Sequence, residues 1–222
     1  MNVVDLKVNL DVRDVLRMMG FGREIPVRGE LLDLVDRLVR EARGLLKPRG
    51  VFAVYDVERM TDDELHLADC PVICGPIAEF LRPARRVAVF VVTVGDAIEQ
   101  RTEERLRNDA KLEGYAFNAI GSAAADAAVD ALANEVYWRE AGPDEGITPP
   151  FSPGYCGMSL DEQQKIFSIV DGDLIGVRLL PTMIMQPLKS VSGLLGIGQR
   201  DAVAEHGVPC QWCDRPECKM RR

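Results

Sequence analysis

An α+β fold is predicted for this chain, as a single domain in which a twisted, mainly antiparallel sheet is flanked by helices. The helical and strand-like segments do not alternate regularly along the chain, which disfavours a doubly wound parallel sheet. The last third mixes Gly, Pro and apolar residues, a pattern typical of short antiparallel strands joined by turns. The length of 222 residues, 47% of them apolar, suits one large domain better than two.

The N-terminal part, residues 1–69, is predicted to contain two helices followed by strands. Asp11 is a suitable N-cap for a short first helix. Apolar residues then recur at helical spacing from about Glu30 to Leu46, which predicts the second helix. The residues from Val51 onward alternate and are rich in β-branched and aromatic types, so they predict a strand. A shorter strand is expected around Leu65–Leu67.

The core of the domain is assigned to residues 70–200, which hold the clearest strand and the longest helix. Val87–Gly95 is an almost unbroken apolar run, typical of a strand that is buried on both faces. Asp96 can cap a helix that runs from Ala97 to about Asp109. The next helix is expected from about Leu112 to Arg139. Its centre contains almost only small residues, so it can pack tightly on the sheet or let a flat ligand come close.

From Gly142 the chain becomes rich in Pro and Gly, which predicts a long, stiff, non-helical loop. Within it, Pro153–Tyr155 combines a fixed φ, a residue free to adopt positive φ and an aromatic ring. Ser159 and Glu162 are predicted to form a capping box for a helix whose N-terminus would attract a carboxylate or phosphate. The loop can therefore be a ligand site or a structural turn, and composition alone favours the turn.

Four motifs in a fixed order carry a family resemblance. In chain order they are VAVFVVTVGDAIEQR at 87–101, SAAADAAVDALANEVYW at 122–138, SPGY at 152–155 and SVSG at 190–193. Each motif is weak alone, but the ordered set is fairly specific. Together they make the chain resemble a stand-alone form of the activation domain of cobalamin-dependent methionine synthase, over residues 70–198.

The resemblance implies a ligand site and a partner. In that family the domain binds S-adenosylmethionine along the PGY loop and closes over a cobalamin carried by another domain, so that inactive Co(II) can be reduced and remethylated. It implies that the acidic Asp130 of the long helix suits an amino group or a sulfonium charge. It also implies that the S-adenosylmethionine site is lined by Ser152, Pro153, Gly154 and Tyr155. The residues implied to lie near the corrinoid are Ser190, Ser192 and Gly193.

The loop departs from the family pattern at one position. The family usually has an arginine five residues before the tyrosine, as a partner for the ligand carboxylate, and Pro150 stands there in this chain. Loss of such a charge-assisted contact costs on the order of 1.5–3 kcal/mol. Arg178 or Lys189 could supply the cation instead.

The last segment, residues 201–222, is a Cys-rich tail. Its three cysteines follow a C-x2-C-x4-C spacing, and nearby basic residues would lower the pKa of thiols there. Zinc and iron–sulfur clusters both normally need four ligands. The predicted metal ligands are Cys210, Cys213, Cys218 and, as the fourth, Cys156. His206 and Cys70 or Cys74 are alternatives for the fourth position, and a reduced tail without metal is the simpler hypothesis.

A second cysteine pair, Cys70 and Cys74, has C-x3-C spacing between a predicted strand and helix. Such a pair can bind metal or undergo redox chemistry. We expect instead that both are small, buried residues.

Charge and composition exclude several classes of function. The chain has 27 Lys and Arg against 35 Asp and Glu, a net charge of −8, so it lacks the basic surface that nucleic-acid binding requires. No apolar run is long enough to span a membrane, and no secretory signal is visible, which predicts a cytoplasmic protein. Only two histidines are present and no hydrolase or nucleotide-binding motif. Enzymatic activity stays open, and a complete enzyme is not expected.

The predicted function is that of an accessory protein for reductive reactivation of a cobalamin-dependent methyltransferase. It would hold S-adenosylmethionine near cobalt, cover the corrinoid or deliver an electron, beside a possible flavodoxin-like donor. A docking surface of exposed apolar residues is then expected near Tyr155 and Ser190–Leu195. The alternative is a zinc- or iron–sulfur-bearing interaction module that kept the fold and lost S-adenosylmethionine binding.

Overall fold

Strands formed by the most apolar segments of the chain lie at the centre of the protein. The computed structural model describes residues 1–21, 27, 29–208, 211 and 217. In chain order the strands are β1 (Asn2–Asp5), β2 (Arg49–Met60), β3 (Glu64–Leu67), β4 (Ile73–Cys74), β5 (Ala84–Thr93), β6 (Glu145–Ile147), β7 (Arg178–Leu179), β8 (Met185–Gln186) and β9 (Ser190–Gln199).

Helices connect and cover these strands. Asp11 caps the first of them as predicted, since its carboxylate accepts the Arg13 N–H at 2.8 Å. In chain order the α-helices are α1 (Val12–Met18), α2 (Gly29–Arg43), α3 (Ile77–Leu81), α4 (Ala97–Arg107), α5 (Lys111–Glu140), α6 (Glu162–Ile169) and α7 (Arg200–His206), and a 3-10 helix covers Gly172–Ile175.

The main sheet has the strand order β4-β3-β2-β5-β9-β6, with β1 paired to the free side of β2. Every described pairing is antiparallel, including that of the separate hairpin β7–β8. β5 is central, and Val87–Val92 within it is fully buried. The predicted α+β fold with an antiparallel sheet is therefore confirmed.

The side chains of β5 alternate between two apolar cores. Phe90 and its neighbours two positions away face a core shared with α1, α2 and α5. Val89 and its corresponding neighbours face a second core shared with α3, α6 and the 3-10 helix. Several small residues of α5, among them Ala124 and Ala128, are fully buried against the first face. The sheet is thus covered on both sides, and α5 lies close to β9.

The predicted capping box is wrong. Helix α6 begins at Glu162 with Asp161 as its N-cap, and Ser159 Oγ accepts the Asp161 N–H at 3.2 Å. The Glu162 carboxylate instead accepts the N–H of Cys74 at 2.9 Å. A contact between segments that lie far apart in the chain therefore replaces the local one.

The C-terminal third agrees with the prediction in part. The expected short antiparallel strands are β7 and β8, but β9 is ten residues long and pairs with β5 along its whole length. The segment predicted as loop from Gly142 contains β6, which forms because β9 offers it an edge. Helix α7 follows directly from β9 and has no clear signal in the sequence.

Glu145 joins β6 to its surroundings and carries a pH-dependent prediction. Its carboxylate accepts the Gly142 N–H at 2.8 Å and lies 2.5 Å from Arg86 Nη2. The Gly142 bond lowers the pKa of Glu145, partial burial opposes this, and Arg86 adds to the lowering. The ionised Glu145 carboxylate therefore stabilises the folded protein fully above the ordinary glutamate pKa of about 4.3. This stabilisation is lost as the pH falls through the lowered pKa of Glu145.

The change Glu145→Gln should therefore reduce stability at neutral pH by an amount below about 1 kcal/mol, because the pair is partly exposed. Thermal unfolding of both proteins between acidic and neutral pH measures this difference. We expect the difference to disappear at the acidic end. A difference that stays constant with pH would show that the carboxylate charge of Glu145 contributes nothing.

Candidate functional site

The loop 149–157 is fixed on the outer edge of β9. Phe151 and Leu194 exchange two backbone hydrogen bonds of 2.8 Å. Three residues before Phe151, the Thr148 N–H donates to the Gly196 carbonyl at 2.8 Å, and the Thr148 hydroxyl accepts the Gly196 N–H at 2.8 Å. After Phe151 the chain turns away from the strand. The loop therefore starts from a well-fixed point of the sheet.

A tight turn follows in the PGY segment. Gly154 has φ +85°, a conformation that suits glycine, and its N–H donates to the Met158 carbonyl at 3.0 Å. Pro153 is buried beneath the turn, while Gly154 is exposed. The Tyr155 side chain is 66% exposed. The turn thus presents one backbone segment and one aromatic face to solvent, which is suitable for stacking on a flat ligand.

Gly193 lies directly against this loop. A Cβ atom at Gly193 would lie 2.6 Å from the Phe151 carbonyl oxygen, 2.8 Å from Phe90 Cζ and 2.9 Å from Ser152 Oγ. Only a glycine permits this approach. The structure therefore brings Ser152 and Gly193, two of the predicted site residues, into contact.

The two serines of the SVSG motif have a different environment. Strand alternation turns Ser190 and Ser192 to the face opposite to Gly193. The Ser190 hydroxyl donates to the Pro187 carbonyl at 2.7 Å and lies 2.9 Å from Thr93 Oγ1. Ser192 is only 2% exposed. Both side chains thus lie in the interior, on the other side of β9 from Ser152.

Asp130 lies on the exposed side of α5, in a polar series with a spacing of four residues. Asn118, Ser122 and Asp126 precede it at that spacing, so the four share one side of the helix. Lys189 donates from Nζ to Asn118 Oδ1 at 2.8 Å and to Ser122 Oγ at 2.9 Å. The sequence prediction missed Asn118 and Ser122. Their four-residue spacing in an Ala-rich helix was the available signal.

A second polar cluster lies beside the loop. Lys165 Nζ contacts Glu162 Oε1 at 2.8 Å and Cys74 Sγ at 3.6 Å. Burial lowers the pKa of Lys165, but the hydrogen bond and charge of Glu162 outweigh it and the Cys74 thiol contributes, so the pKa is raised overall. In this cluster the positive charge of Lys165 is therefore paired with the buried carboxylate of Glu162.

Cys74 is exposed and Cys70 is half-buried, so the prediction that both are buried is wrong. Cys74 is the last residue of β4, where the strand reaches the surface. Burial and the nearby carboxylates of Asp69 and Glu58 raise the pKa of the Cys70 thiol. A raised pKa disfavours the thiolate form that metal binding and thiol chemistry need.

The predicted metal ligands Cys210, Cys213 and Cys218 lie outside the described residues. Their predicted partner Cys156 is half-buried and has φ +47°. Within the part of the chain that the structure describes, no group of three or more His, Cys, Asp or Glu side chains could hold a metal ion.

Helix α7, which precedes the tail cysteines in the chain, ends beside α3. His206, at the end of α7, contacts the Glu79 carbonyl of α3. Pro76, the N-cap residue of α3, is near the loop, because a Cβ atom at Gly157 would lie 3.5 Å from its Cγ. The end of α7 and the loop therefore adjoin the same short helix.

Apolar side chains are exposed near the loop, although not where all of them were expected. The segment Ser190–Leu195 is buried or half-buried and contributes no exposed apolar side chain. The hairpin β7–β8 and its flanks contribute several. The exposed large apolar residues from the loop to β9 are Tyr155, Leu160, Leu174, Leu180, Ile184 and Leu188.

A cavity of about 280 Å³ lies elsewhere, between the N-terminal segment and α2. It contains no residue of the loop 149–157. Its lining residues are Leu6, Val8, Leu10, Arg43, Leu46 and Pro48.

None of the helices in the described ranges combines the length and the apolar character needed to cross a bilayer.

Comparison with known proteins identifies the fold. No protein-family model matches the chain, and no curated protein sequence matches it. Among solved structures the chain is similar to the MetH reactivation domain bound to AdoHcy, with a TM-score of 0.63 and 16% sequence identity. The likeness covers 88% of this chain and 77% of that one. At this identity it establishes that the chain has the fold of a MetH reactivation domain.

Proposed function

We propose that this protein binds S-adenosylmethionine at the loop 149–157 and supports reactivation of a cobalamin-dependent methyltransferase. The observation that carries the proposal is the shared fold with a reactivation domain that was solved with AdoHcy, which is S-adenosylhomocysteine. The loop holds an exposed aromatic residue, Tyr155, next to a positive-φ glycine, Gly154.

The local chemistry of the loop suits a nucleoside-type ligand. The exposed Tyr155 ring can stack on a flat base, and the exposed Gly154 backbone lets a ligand approach closely. Ser152 is half-buried against Gly193 and can hydrogen-bond a polar group at the base of the site. Asp130 supplies negative charge on the exposed side of α5, which suits the sulfonium group.

Positioning would be this chain's main contribution to the reaction. The ligand, when bound, supplies the methyl group that a corrinoid accepts. The loop would hold it on the rigid edge of β9. The exposed apolar residues around β7–β8 would dock on the corrinoid protein and exclude water. The electron would come from a separate flavodoxin-like donor or from a metal centre at the C-terminal tail.

A second candidate function is a metal-bearing interaction module that has the fold without S-adenosylmethionine binding. It is favoured by Pro150, where the family resemblance expects an arginine, and by the tail cysteines. The end of α7 adjoins α3, and so does the loop that holds Cys156, the fourth ligand that the sequence predicts. Metal analysis of anaerobically purified protein, combined with Cys156→Ser, tests this module. A zinc or iron content that Cys156→Ser does not change would rule out Cys156 as a ligand.

Calorimetric titration with S-adenosylhomocysteine and S-adenosylmethionine tests the leading proposal. The change Gly154→Val should weaken binding by about tenfold or more, because a β-branched residue strongly disfavours φ +85° and the loop must reorganise. Gly176→Val is a matched control, since Gly176 also has positive φ, with open space around it, and lies outside the loop. Equal affinities in the two variants would contradict the loop assignment, and absence of binding to the unaltered protein would favour the metal module.

A further inference from the structure

Lys189 is held in an unusual position beside α5. A Cβ atom at Gly121 would lie only 3.0–3.2 Å from its Cε, Cγ and Cδ atoms. The missing side chain of Gly121 therefore lets the aliphatic part of Lys189 lie flat on the helix. This places the ammonium group between Asn118 and Ser122.

Within the described part of the chain, the contacts of this ammonium group are to uncharged atoms. An ammonium group has three donors, and the two acceptors found for Lys189 are a neutral amide and a neutral hydroxyl. Among the described residues no carboxylate lies within ion-pair distance of Lys189 Nζ. The half-buried cations Arg105 and Lys165, in contrast, each contact a carboxylate.

Burial lowers the pKa of Lys189, and the charge of Glu99 opposes this. The Glu99 carboxylate itself accepts the backbone N–H of Lys189 at 2.9 Å. An anion that reached the third donor of Nζ would therefore meet a partly desolvated positive charge. Such a contact is stronger than one to a fully hydrated lysine.

Lys189 also lies on the same side of the sheet as the loop contact. Strand alternation turns Lys189, Val191 and Gly193 toward α5, and Val191 packs against the core shared with that helix. Gly193 in turn contacts Ser152. At the strand rise of about 3.3 Å per residue, Lys189 and Gly193 are roughly 13 Å apart. A nucleoside joined to an amino acid can span such a distance.

We propose that Lys189 is the anion subsite of the ligand site and receives the carboxylate of the ligand's amino-acid part. The inference rests on the proposed binding of S-adenosylmethionine. The loop itself has Pro150 where a cation could have stood, and Arg178, the other available cation, is ion-paired with Asp173 at 3.0 Å. Of the two cations that the sequence offers in place of an arginine at position 150, Lys189 is therefore the one we assign to the carboxylate.

Two ligands and three variants test this inference. S-Adenosylhomocysteine has the amino-acid carboxylate, and 5′-methylthioadenosine has the nucleoside without it. We expect Lys189→Met to weaken binding of S-adenosylhomocysteine by about 10- to 100-fold, in line with loss of one charge-assisted contact. Binding of 5′-methylthioadenosine should change less than about twofold. Lys189→Arg should keep most of the affinity, and Lys47→Met, at an exposed lysine outside the site, should change nothing.

The outcomes separate this inference from the function on which it rests. Unchanged affinity of Lys189→Met for S-adenosylhomocysteine overturns the carboxylate subsite while the proposed function stands. An equal loss for both ligands shows that Lys189 only supports the fold, and also overturns it. Failure of the unaltered protein to bind either ligand overturns the proposed function, and this inference with it.

Discussion

Gly193→Val is expected to destabilise the protein by about 3 kcal/mol, at the upper end for an overpacked site. A side chain at this position meets the Phe151 carbonyl oxygen at 2.6 Å and Phe90 Cζ at 2.8 Å. The first of these is backbone held by the pairing with Leu194, so it cannot move without breaking that pairing. The midpoint of thermal unfolding should fall by roughly 6–12 °C for a chain of this size.

The same change should also remove ligand binding, because the loop begins at Phe151 and would be displaced from β9. Calorimetry with S-adenosylhomocysteine, below the unfolding temperature, measures the affinity, and we expect a loss of at least about 100-fold. Gly44→Ala is the matched control, since the contact nearest to a Cβ atom there is an ordinary one at 3.8 Å. A variant of Gly193 as stable as the Gly44 control would mean that the loop does not pack on β9 as described.

Phe117→Ala is expected to cost about 3–5 kcal/mol, the usual range for a large aromatic residue removed from a core. Phe117 is completely buried and lies in the core between α5 and the sheet. One turn away on either side along α5, Gly114 and Gly121 have no side chains that could fill the cavity. Differential scanning calorimetry should show a midpoint that is lower by roughly 6–20 °C.

The control for this change lies on the same helix. Trp138 is larger than Phe117 but 80% exposed, so Trp138→Ala should alter stability by less than about 0.5 kcal/mol. Similar losses in the two variants would contradict the burial pattern of α5. They would mean that this helix packs on the sheet in a different rotation.

The elements predicted well are those whose pattern repeats over many residues. Val87–Gly95 was expected as a buried strand and forms most of β5, and the Ala-rich segment forms α5 within one residue of its predicted ends. Both patterns report burial directly. β6 could not be predicted in the same way, because its three residues are a strand only through their pairing with β9.

The candidate site was predictable where it depends on local conformation. The positive φ of Gly154 follows from the Pro-Gly sequence of the turn. The roles of Ser190 and Ser192 depend on which face of β9 each side chain occupies. The register of β9 against β5 decides this. Glu162 shows the same limit, because its partner Cys74 lies far away in the chain. Long-range contacts of this kind leave no local signal in the sequence.

The position of β9 between β5 and β6 has a consequence for how the molecule forms. β9 follows both β5 and β6 in the chain. Thr93 of β5 and its partner Ser190 of β9 are about a hundred positions apart, so the pairing of these two strands is a slow, non-local step. Until the ribosome has released residue 199, one edge of β5 has no partner and is open to aggregation. The loop that carries Tyr155 can settle only afterwards. A nascent chain would therefore form the proposed binding surface last.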